Sequence, residues 1–461
     1  MEVCLIVPPY DGKVSKTSKI HRAFPPYSLL IMATILKEDG HKVRLFDFNS
    51  NAQIDEKDFK ESLLSSDVAL VTTTPYFDWQ CPSDNLDFAL NWTSKLKNTN
   101  LIIMGNHGTH YPTYVLEKSK AKVVVQGEPE GIISNLVNSI FKDEELKLIE
   151  GLSLLMESGE VFHTPKRKSF ALEDLPSADY SLIDLNDYYY ELLGGQFAIL
   201  EGARGCPFSC NFCNLSMFNK KYRKTDAQKL CNEIEDLVEN HGCTSLYIFD
   251  LEYTINKKMV HFVSDFIIQK GYVQKFKFKW ACQTRADSVD MEMLKAMKQS
   301  GCSLIHFGVE AGNEEVLKNT SKRITKDRIR EGISLCRKVG IASACFFIFG
   351  HPNEKETEIQ ETIDFSLDLS PDYASFHKFL SFPGSPLFRE TYGEEPYLDI
   401  GPSEHGAYKV RCFNLEESIL DKLIKKAYLR FYLRPKFLLR YLNPKEWLLL
   451  SRKIKLFLEF I

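Results

Sequence analysis

The 461-residue chain has no unbroken apolar run of the roughly 18 to 20 residues that a bilayer-spanning helix needs. It also lacks the basic segment, apolar core and small-residue cleavage site of a secretory signal: "MEVCLIVPPYDG" reads as a first strand. These two absences make a cytoplasmic protein the expectation. Net charge is nearly absent too, because Lys+Arg 58 against Asp+Glu 62 leaves only -4, so the chain as a whole advertises neither nucleic acid nor an acidic partner. There is no G-x-G-x-x-G and no G-x4-G-K-[ST], which weakens dinucleotide and P-loop readings, and no repeat of short fixed period. Twelve cysteines in so long a chain do not read as a disulfide framework. Cys4, Cys231, Cys282, Cys302, Cys336 and Cys345 lie among apolar neighbours, as buried thiols do. What remains is a globular composition, 44% hydrophobic and 26% charged, with length for two or three domains.

Over residues 1–145, short apolar runs such as "EVCLIVPP", "VALVTTT", "LIIMGNHG" and "AKVVVQG" alternate with helical patterns. That alternation predicts a doubly wound, mainly parallel α/β sheet, whose ligands sit where strands end. The strand-end segments are "VTTTPY", "GNHGTHYP" and "QGEPEG". Over 146–195 the pattern weakens into a linker whose tyrosines and leucines predict packing against its neighbours. From 196 to 400 a second series follows, in which "QFAIL", "SLYIFD", "FKFKWACQT", "SLIHFGVEAG", "IASACFFIFG" and "YASFHKF" are each succeeded by a helix or loop. This predicts a partial barrel of six βα units, with Asp226 capping its first helix. Residues 401–461 read as a helical, basic C-terminal region.

The densest chemistry is "LEGARGCPFSCNFCNLSMF", residues 200–218, where Cys206, Cys210 and Cys213 are spaced C-x3-C-x2-C. A structural zinc knot and a chance grouping are the plain alternatives. Zinc asks for four ligands, and the next ones in sequence, His241 and Cys243, belong to the end of the following helix. A four-iron, four-sulfur cluster held by three thiolates instead leaves one iron open to a chelating small molecule. With Phe212 before the last cysteine, the loop after the first barrel strand resembles that of the radical S-adenosylmethionine (SAM) enzymes.

Further segments resemble the same superfamily in order. "YIFDLEYTIN" supplies Asp250 and Glu252 near the methionine end of SAM, "CQTRAD" supplies Arg285, and "HFGVEAGNEEVL" supplies Glu310. "FFIFGHPNEKETE", with Gly350, resembles the segment packing on adenine, and "LSFPGSPLF" the closing sixth-strand segment. Singly, each has an ordinary reading as solvated loop, ion pair or turn. The resemblance implies that Cys206, Cys210 and Cys213 hold the cluster, and that Phe212, Asp250, Glu252, Arg285, Glu310 and Gly350 surround SAM. It further implies reductive cleavage of SAM to methionine and a 5'-deoxyadenosyl radical, with an external electron donor such as flavodoxin or ferredoxin. Gly202 and Gly205 are expected to let the backbone wrap the cluster. Arg204 reads as a cluster-side or substrate-side charge, or as a surface cation.

The first domain resembles, over about residues 1–140, the cobalamin-binding domain joined to many radical SAM enzymes. "FPPYSLLIMATILKEDGHKVRLFD" and "MGNHGTHYPTYVLEKSKAKVVVQGEPEG" carry the likeness. It implies a Rossmann-like domain that contacts cobalamin through Thr72, Thr73, Thr74, Gly105, His107, Gly108, Gly127 and Glu128. The D-x-H-x-x-G signature for a lower-axial histidine is absent, Asn106 replaces a second glycine, and "TTTPY" is bulkier than the usual loop. With cobalamin, the implied activity is methylation of an unactivated carbon or phosphinate on a small molecule or lipid. Without it, the alternatives are C–C bond formation, cyclisation or rearrangement, or a non-catalytic scaffold.

Residues 420–461 hold eleven Lys or Arg and three acids, interleaved with leucines and aromatics. Such a segment either caps the barrel or lies on an anionic membrane surface. No nucleic-acid-binding module is recognisable.

Overall fold

The computed structural model describes residues 1–9, 23–81, 86–98, 100–218, 222–392 and 415–439. The first alternation builds a sheet from β1 (Glu2–Val7), β2 (Lys42–Asp47), β3 (Val68–Thr72), β4 (Leu101–Met104), β5 (Val123–Val125), β6 (Leu152–Leu155) and β7 (Val161–His163), ordered β2-β1-β3-β4-β5-β6-β7. β1 to β5 are parallel neighbours, and every residue of β3, β4 and β5 is buried. Helices cover both faces, which is why these strands read as unbroken apolar runs. Leu29, Met32, Leu136 and Val137 pack on one face, and Phe59, Leu63, Leu90 and Leu116 on the other.

The sheet extends past residue 145. β6 and β7 form an antiparallel hairpin on β5, so residues 152–163 belong to the sheet and not to the expected linker. The sequence hides β7 because it is an outer strand: Phe162 and His163 are exposed, so no buried alternation marks it. From Thr164 onward the linker packs closely, with Tyr180, Tyr188 and Tyr190 buried and Tyr188 Oη donating to Asp47 Oδ2 at 3.0 Å.

The second sheet comprises β8 (Phe197–Leu200), β9 (Ser245–Ile248), β10 (Lys279–Thr284), β11 (Cys302–Glu310), β12 (Ala342–Phe349) and β13 (Tyr373–Lys378), all parallel and in chain order. The helix Ala227–Glu239 starts where its sequence predicts, with the Asp226 carboxylate accepting from Gln228 N and Lys229 N. Tyr247 on β9 reaches across β10 to His306 on β11, Oη to Nδ1 3.0 Å, which shows that this face is concave. Parallel connectivity gathers every carboxyl end at one rim.

β13 is an edge, and the helix Glu417–Tyr432 covers it. Tyr432 Oη accepts from Ala374 N at 3.1 Å and donates to Ala374 O at 2.7 Å, while Tyr428 Oη accepts from Phe376 N at 3.1 Å. Four residues rise about 6 Å along a helix, and two residues rise about 6.6 Å along a strand. An i, i+4 tyrosine pair therefore matches alternate strand residues and satisfies an edge that otherwise invites pairing. The described part of the basic tail is thus a cap. Residues 401–414 and 440–461 lie outside the described residues, and among the described ones no helix is long and apolar enough to cross a membrane.

Candidate active site

β8 delivers the chain to the rim, where Ala203–Arg204 pairs antiparallel with Arg223–Lys224 and Thr225 N donates to Gly202 O at 2.9 Å. These contacts pinch the base of the cysteine loop. Gly205 makes its turn with φ 83°, a left-handed conformation that favours glycine. The far side is tied down at Asn211, whose N donates to Thr320 O (3.1 Å) and whose Nδ2 donates to Asn319 O (2.7 Å).

Cys206, Cys210 and Cys213 are all half-buried. Burial pushes the Cys206 thiol up to about 12 and raises those of Cys210 and Cys213. Charge on Cys210 bears on both other thiols, and the Lys322 and Arg285 cations in turn pull Cys210 down. Among the described residues no three His, Cys, Asp or Glu side chains close around a single ion. Three neighbouring half-exposed thiols beside two cations fit an anionic cluster that offers each thiolate its own iron. Binding it would release the protons that burial holds on the sulfurs.

Around the loop stand the expected rim residues. Glu252 Oε2 accepts from Arg285 N (2.8 Å) and Thr284 Oγ1 (3.2 Å), and burial raises this carboxyl to about 7 against the pull of Lys322. The Arg285 guanidinium forks onto Asp287 at 2.9 and 2.8 Å and lies 4.2 Å over the Phe208 ring. Glu310 follows a bulge with φ 69°, a strained value for a side-chain-bearing residue, and this aims its carboxylate at Lys322 Nζ, 2.6 Å away. The Phe212 ring meets His351 edge-on at 6.0 Å, and His351 packs against Phe379 at 5.1 Å. Gly350 turns with φ 89° and gives its N–H to Glu354 Oε2 at 2.6 Å.

One expectation gains a contact here and another needs correction. Asp250 is buried and accepts from Gly202 N at 2.6 Å, holding the root of the loop, with burial raising its carboxyl to about 8. Gly202 is small for packing rather than for the cluster, since a Cβ there would come within 2.8 Å of Met259 Sδ and 3.1 Å of Leu230 Cδ2.

At the carboxyl edge of the first sheet, Thr72, Met104 and Gly105 line a tight cleft with Pro26, Tyr76 and Trp79, with a cavity of only about 10 Å³. Thr73 Oγ1 donates to Met104 O at 3.2 Å. Gly105 has φ 112°, and a Cβ there would come within 2.5 Å of Thr74 Oγ1. The two sequence departures bind each other: Asn106 N donates to Thr74 Oγ1 (2.7 Å), Asn106 Nδ2 to Trp79 O (2.8 Å), and Trp79 Nε1 to Thr74 O (3.2 Å). Hydroxyls, a bare glycine and an apolar wall suit one arm of cobalamin chemically, but about 10 Å³ admits no ring until the cleft opens. A corrin ring would need Tyr76 or Trp79 to move aside.

Five residues expected to touch that cofactor are buried or make contacts within the protein. Thr74 is wholly buried in the network just described. Gly108 lies against the sheet, where a Cβ would come within 2.8 Å of Val124 Cγ1, and His107 beside it is buried. Gly127 receives Thr109 Oγ1 at its N–H, 2.9 Å. Glu128 is fully buried in ion pairs with Arg204 (3.4 Å) and Arg223, whose Nη1 donates at 2.9 Å. Arg204 is therefore no surface cation. It is 1% exposed, pairs also with Glu130 (3.2 Å) and Glu201, and lies over Tyr76 and Trp79 at 5.3 and 5.4 Å.

Sequence reasoning missed Lys322, which sits twelve residues beyond Glu310 with no motif around it. It also missed Gln80, whose Nε2 lies 3.8 Å from Cys213 Sγ, and Cys81, whose charge bears on Cys213. Both belong to the first domain, and only the domain contact brings them to the loop.

The profile of the radical SAM superfamily matches residues 200–366. An uncharacterised methyltransferase of Pyrococcus horikoshii is 28% identical, over 99% of this chain and 97% of its own. The anaerobic magnesium-protoporphyrin IX monomethyl ester cyclase of Cereibacter sphaeroides is 30% identical over 94% of this chain and 71% of its own. Among solved structures, the cobalamin-dependent SAM radical enzyme OxsB, with aqua-cobalamin and SAM bound, superposes with a TM-score of 0.72 at 16% identity, covering 100% of this chain and 71% of OxsB. The radical SAM methyltransferase TsrM of Kitasatospora setae, with cobalamin and a [4Fe-4S] cluster, gives 0.65 at 18% identity, covering 84% of this chain and 74% of TsrM. By sequence, the chain belongs to the radical SAM superfamily, and it shares its fold with OxsB and TsrM.

Proposed function

We propose that this enzyme methylates an unactivated carbon, or a phosphinate, of a small-molecule or lipid substrate, using a [4Fe-4S] cluster, SAM and cobalamin. The observation that carries it is the loop of Cys206, Cys210 and Cys213 at the rim, set among Glu252, Arg285 and the Glu310–Lys322 pair. The cluster supplies an open iron for SAM and the electron for its reductive cleavage to methionine and a 5'-deoxyadenosyl radical. Arg285 and Lys322 hold positive charge beside the thiolates, while Glu252 and Glu310 are carboxylates within reach of an amino group. Phe212 and His351 offer ring faces to adenine. Thr72, Thr73 and Gly105 would receive cobalamin. An external one-electron donor such as flavodoxin or ferredoxin is required, and the basic tail from residue 440 is the segment for any membrane contact.

A second reading, ring or C–C bond formation without methyl transfer, has two observations behind it. The relative at 30% identity is a cyclase, and the cleft at the first sheet's edge is narrow. Anaerobic purification with hydroxocobalamin supplied separates the two. Methyl transfer predicts about four irons and four sulfides per chain, together with cobalt, a corrinoid spectrum and 5'-deoxyadenosine. Iron and sulfide without cobalt would leave the second reading standing, and neither metal would sink both.

A further inference from the structure

Below the rim, the concave face of the second sheet carries Tyr247, Phe249, Gln283, His306, Phe346 and His377. Their rings form a continuous chain: Phe249 to Tyr247 5.1 Å, Tyr247 to His306 5.2 Å, His306 to Phe346 5.4 Å, and Phe346 to His377 6.0 Å with planes 28° apart. None of the six is Lys, Arg, Asp or Glu, and the charged pairs Glu310–Lys322 and Arg285–Asp287 stand at the strand ends. Gln283 and Phe346 are only half-buried and His377 is exposed, so packing does not fill this face.

The polar groups on it form a directional relay. Tyr247 Oη donates to Gln283 Oε1 at 3.3 Å. A phenol has one hydrogen; with that hydrogen on Gln283, Tyr247 accepts from His306 Nδ1 at 3.0 Å. His306 Nε2 then accepts from the buried Tyr190 Oη at 2.9 Å. The chain Tyr190, His306, Tyr247, Gln283 ends with the carbonyl of the half-buried Gln283 occupied, which leaves its amide N–H2 as the group to offer a ligand.

The geometry points to a pocket for a planar, uncharged, conjugated ring system carrying a carbonyl or ring-nitrogen acceptor at its edge. Phe346 and His377 flank the ring, and Gln283 reads the acceptor. This rests on the proposed function, as the substrate class of the same site, and it favours a flat heterocycle over a phosphorylated or acidic molecule. A polar relay of this kind also discriminates, because a ligand lacking the acceptor leaves a donor unmatched.

The test uses 2-quinolone, a neutral bicyclic lactam, as probe, and quinoline-2-carboxylate as its anionic counterpart, titrated against the reconstituted full chain by fluorescence. The lactam is expected to bind and the carboxylate to bind more weakly. Gln283→Leu should weaken the lactam fivefold to tenfold, the range for one lost hydrogen bond. Gln283→Glu, of equal size but with no amide donor, should weaken it at least as much. Unchanged lactam affinity in both variants, or tighter binding of the carboxylate, overturns the proposal. Iron, sulfide and 5'-deoxyadenosine are assayed on the same wild-type preparation. A loaded, SAM-cleaving enzyme that ignores the lactam defeats the pocket alone, whereas lactam binding without a cluster defeats the proposed function alone.

Discussion

The two sheets share a design and end in opposite ways. Both are built mainly of parallel strands, and their carboxyl rims face each other, Glu128 and Glu130 of one against Arg204 of the other. On the first rim, side chains are mostly taken up by one another: Thr74, Asn106 and Trp79 interlock, and the glutamates disappear into ion pairs. On the second rim, three thiols remain half-exposed beside paired charges. Strand-end loops are therefore only a place where function is possible. Whether they serve a ligand or the domain contact depends on which side chains meet across the gap.

Removing a thiol should break the comparison most completely. Cys210→Ala is expected to abolish 5'-deoxyadenosine formation and the visible absorption of the reconstituted cluster, and normal turnover in this variant would refute the cluster assignment. Next is the charge that joins the rims. Arg204→Met leaves Glu128, Glu130 and Glu201 short of a partner in a buried site, and one partner lost from such a network costs about 3–5 kcal/mol. Urea unfolding should show that loss, and a change below about 1 kcal/mol would mean that solvent reaches the contact.

A third prediction concerns pH. Burial lifts the Asp250 carboxyl from the ordinary carboxylate range to about 8, so the folded state favours its protonated form. The resulting stability is complete below the unfolded value and is lost as pH rises to about 8. Asp250→Asn should therefore shrink the fall in urea midpoint between acidic and mildly alkaline buffer, and an unchanged fall would place the titration elsewhere. The smallest effect is expected at the cap: Tyr432→Phe should cost about 1 kcal/mol, seen as a modest drop in thermal midpoint. No drop would mean that the Ala374 edge is hydrated instead.

Much of the fold was legible because a parallel sheet writes itself into sequence: strands buried on both faces give apolar runs, and helices between them give a second period. The β6–β7 hairpin escaped because its outer strand is exposed. The cysteine loop was legible through spacing alone, since three thiolates on one short segment need no distant partner to be recognised. Glu252, Arg285 and Glu310 came with it, each at or soon after the end of a strand. The contacts of Asp250, Gly202 and Glu128 were not legible because their partners, Gly202 N, Leu230 and Arg204, are remote in sequence or unmarked by any motif.

By itself, then, the sequence determined the order of elements and the strand-end positions of the three thiols, all properties set by local spacing and periodicity. Tertiary structure alone decided that Arg204 is buried between domains, that Lys322 and Gln80 attend the thiols, and that a tail helix closes the barrel's edge. It also decided that Tyr190, His306, Tyr247 and Gln283 form one relay. Each of these is a contact between side chains far apart along the chain, and such contacts exist only once burial has chosen which polar groups must find one another.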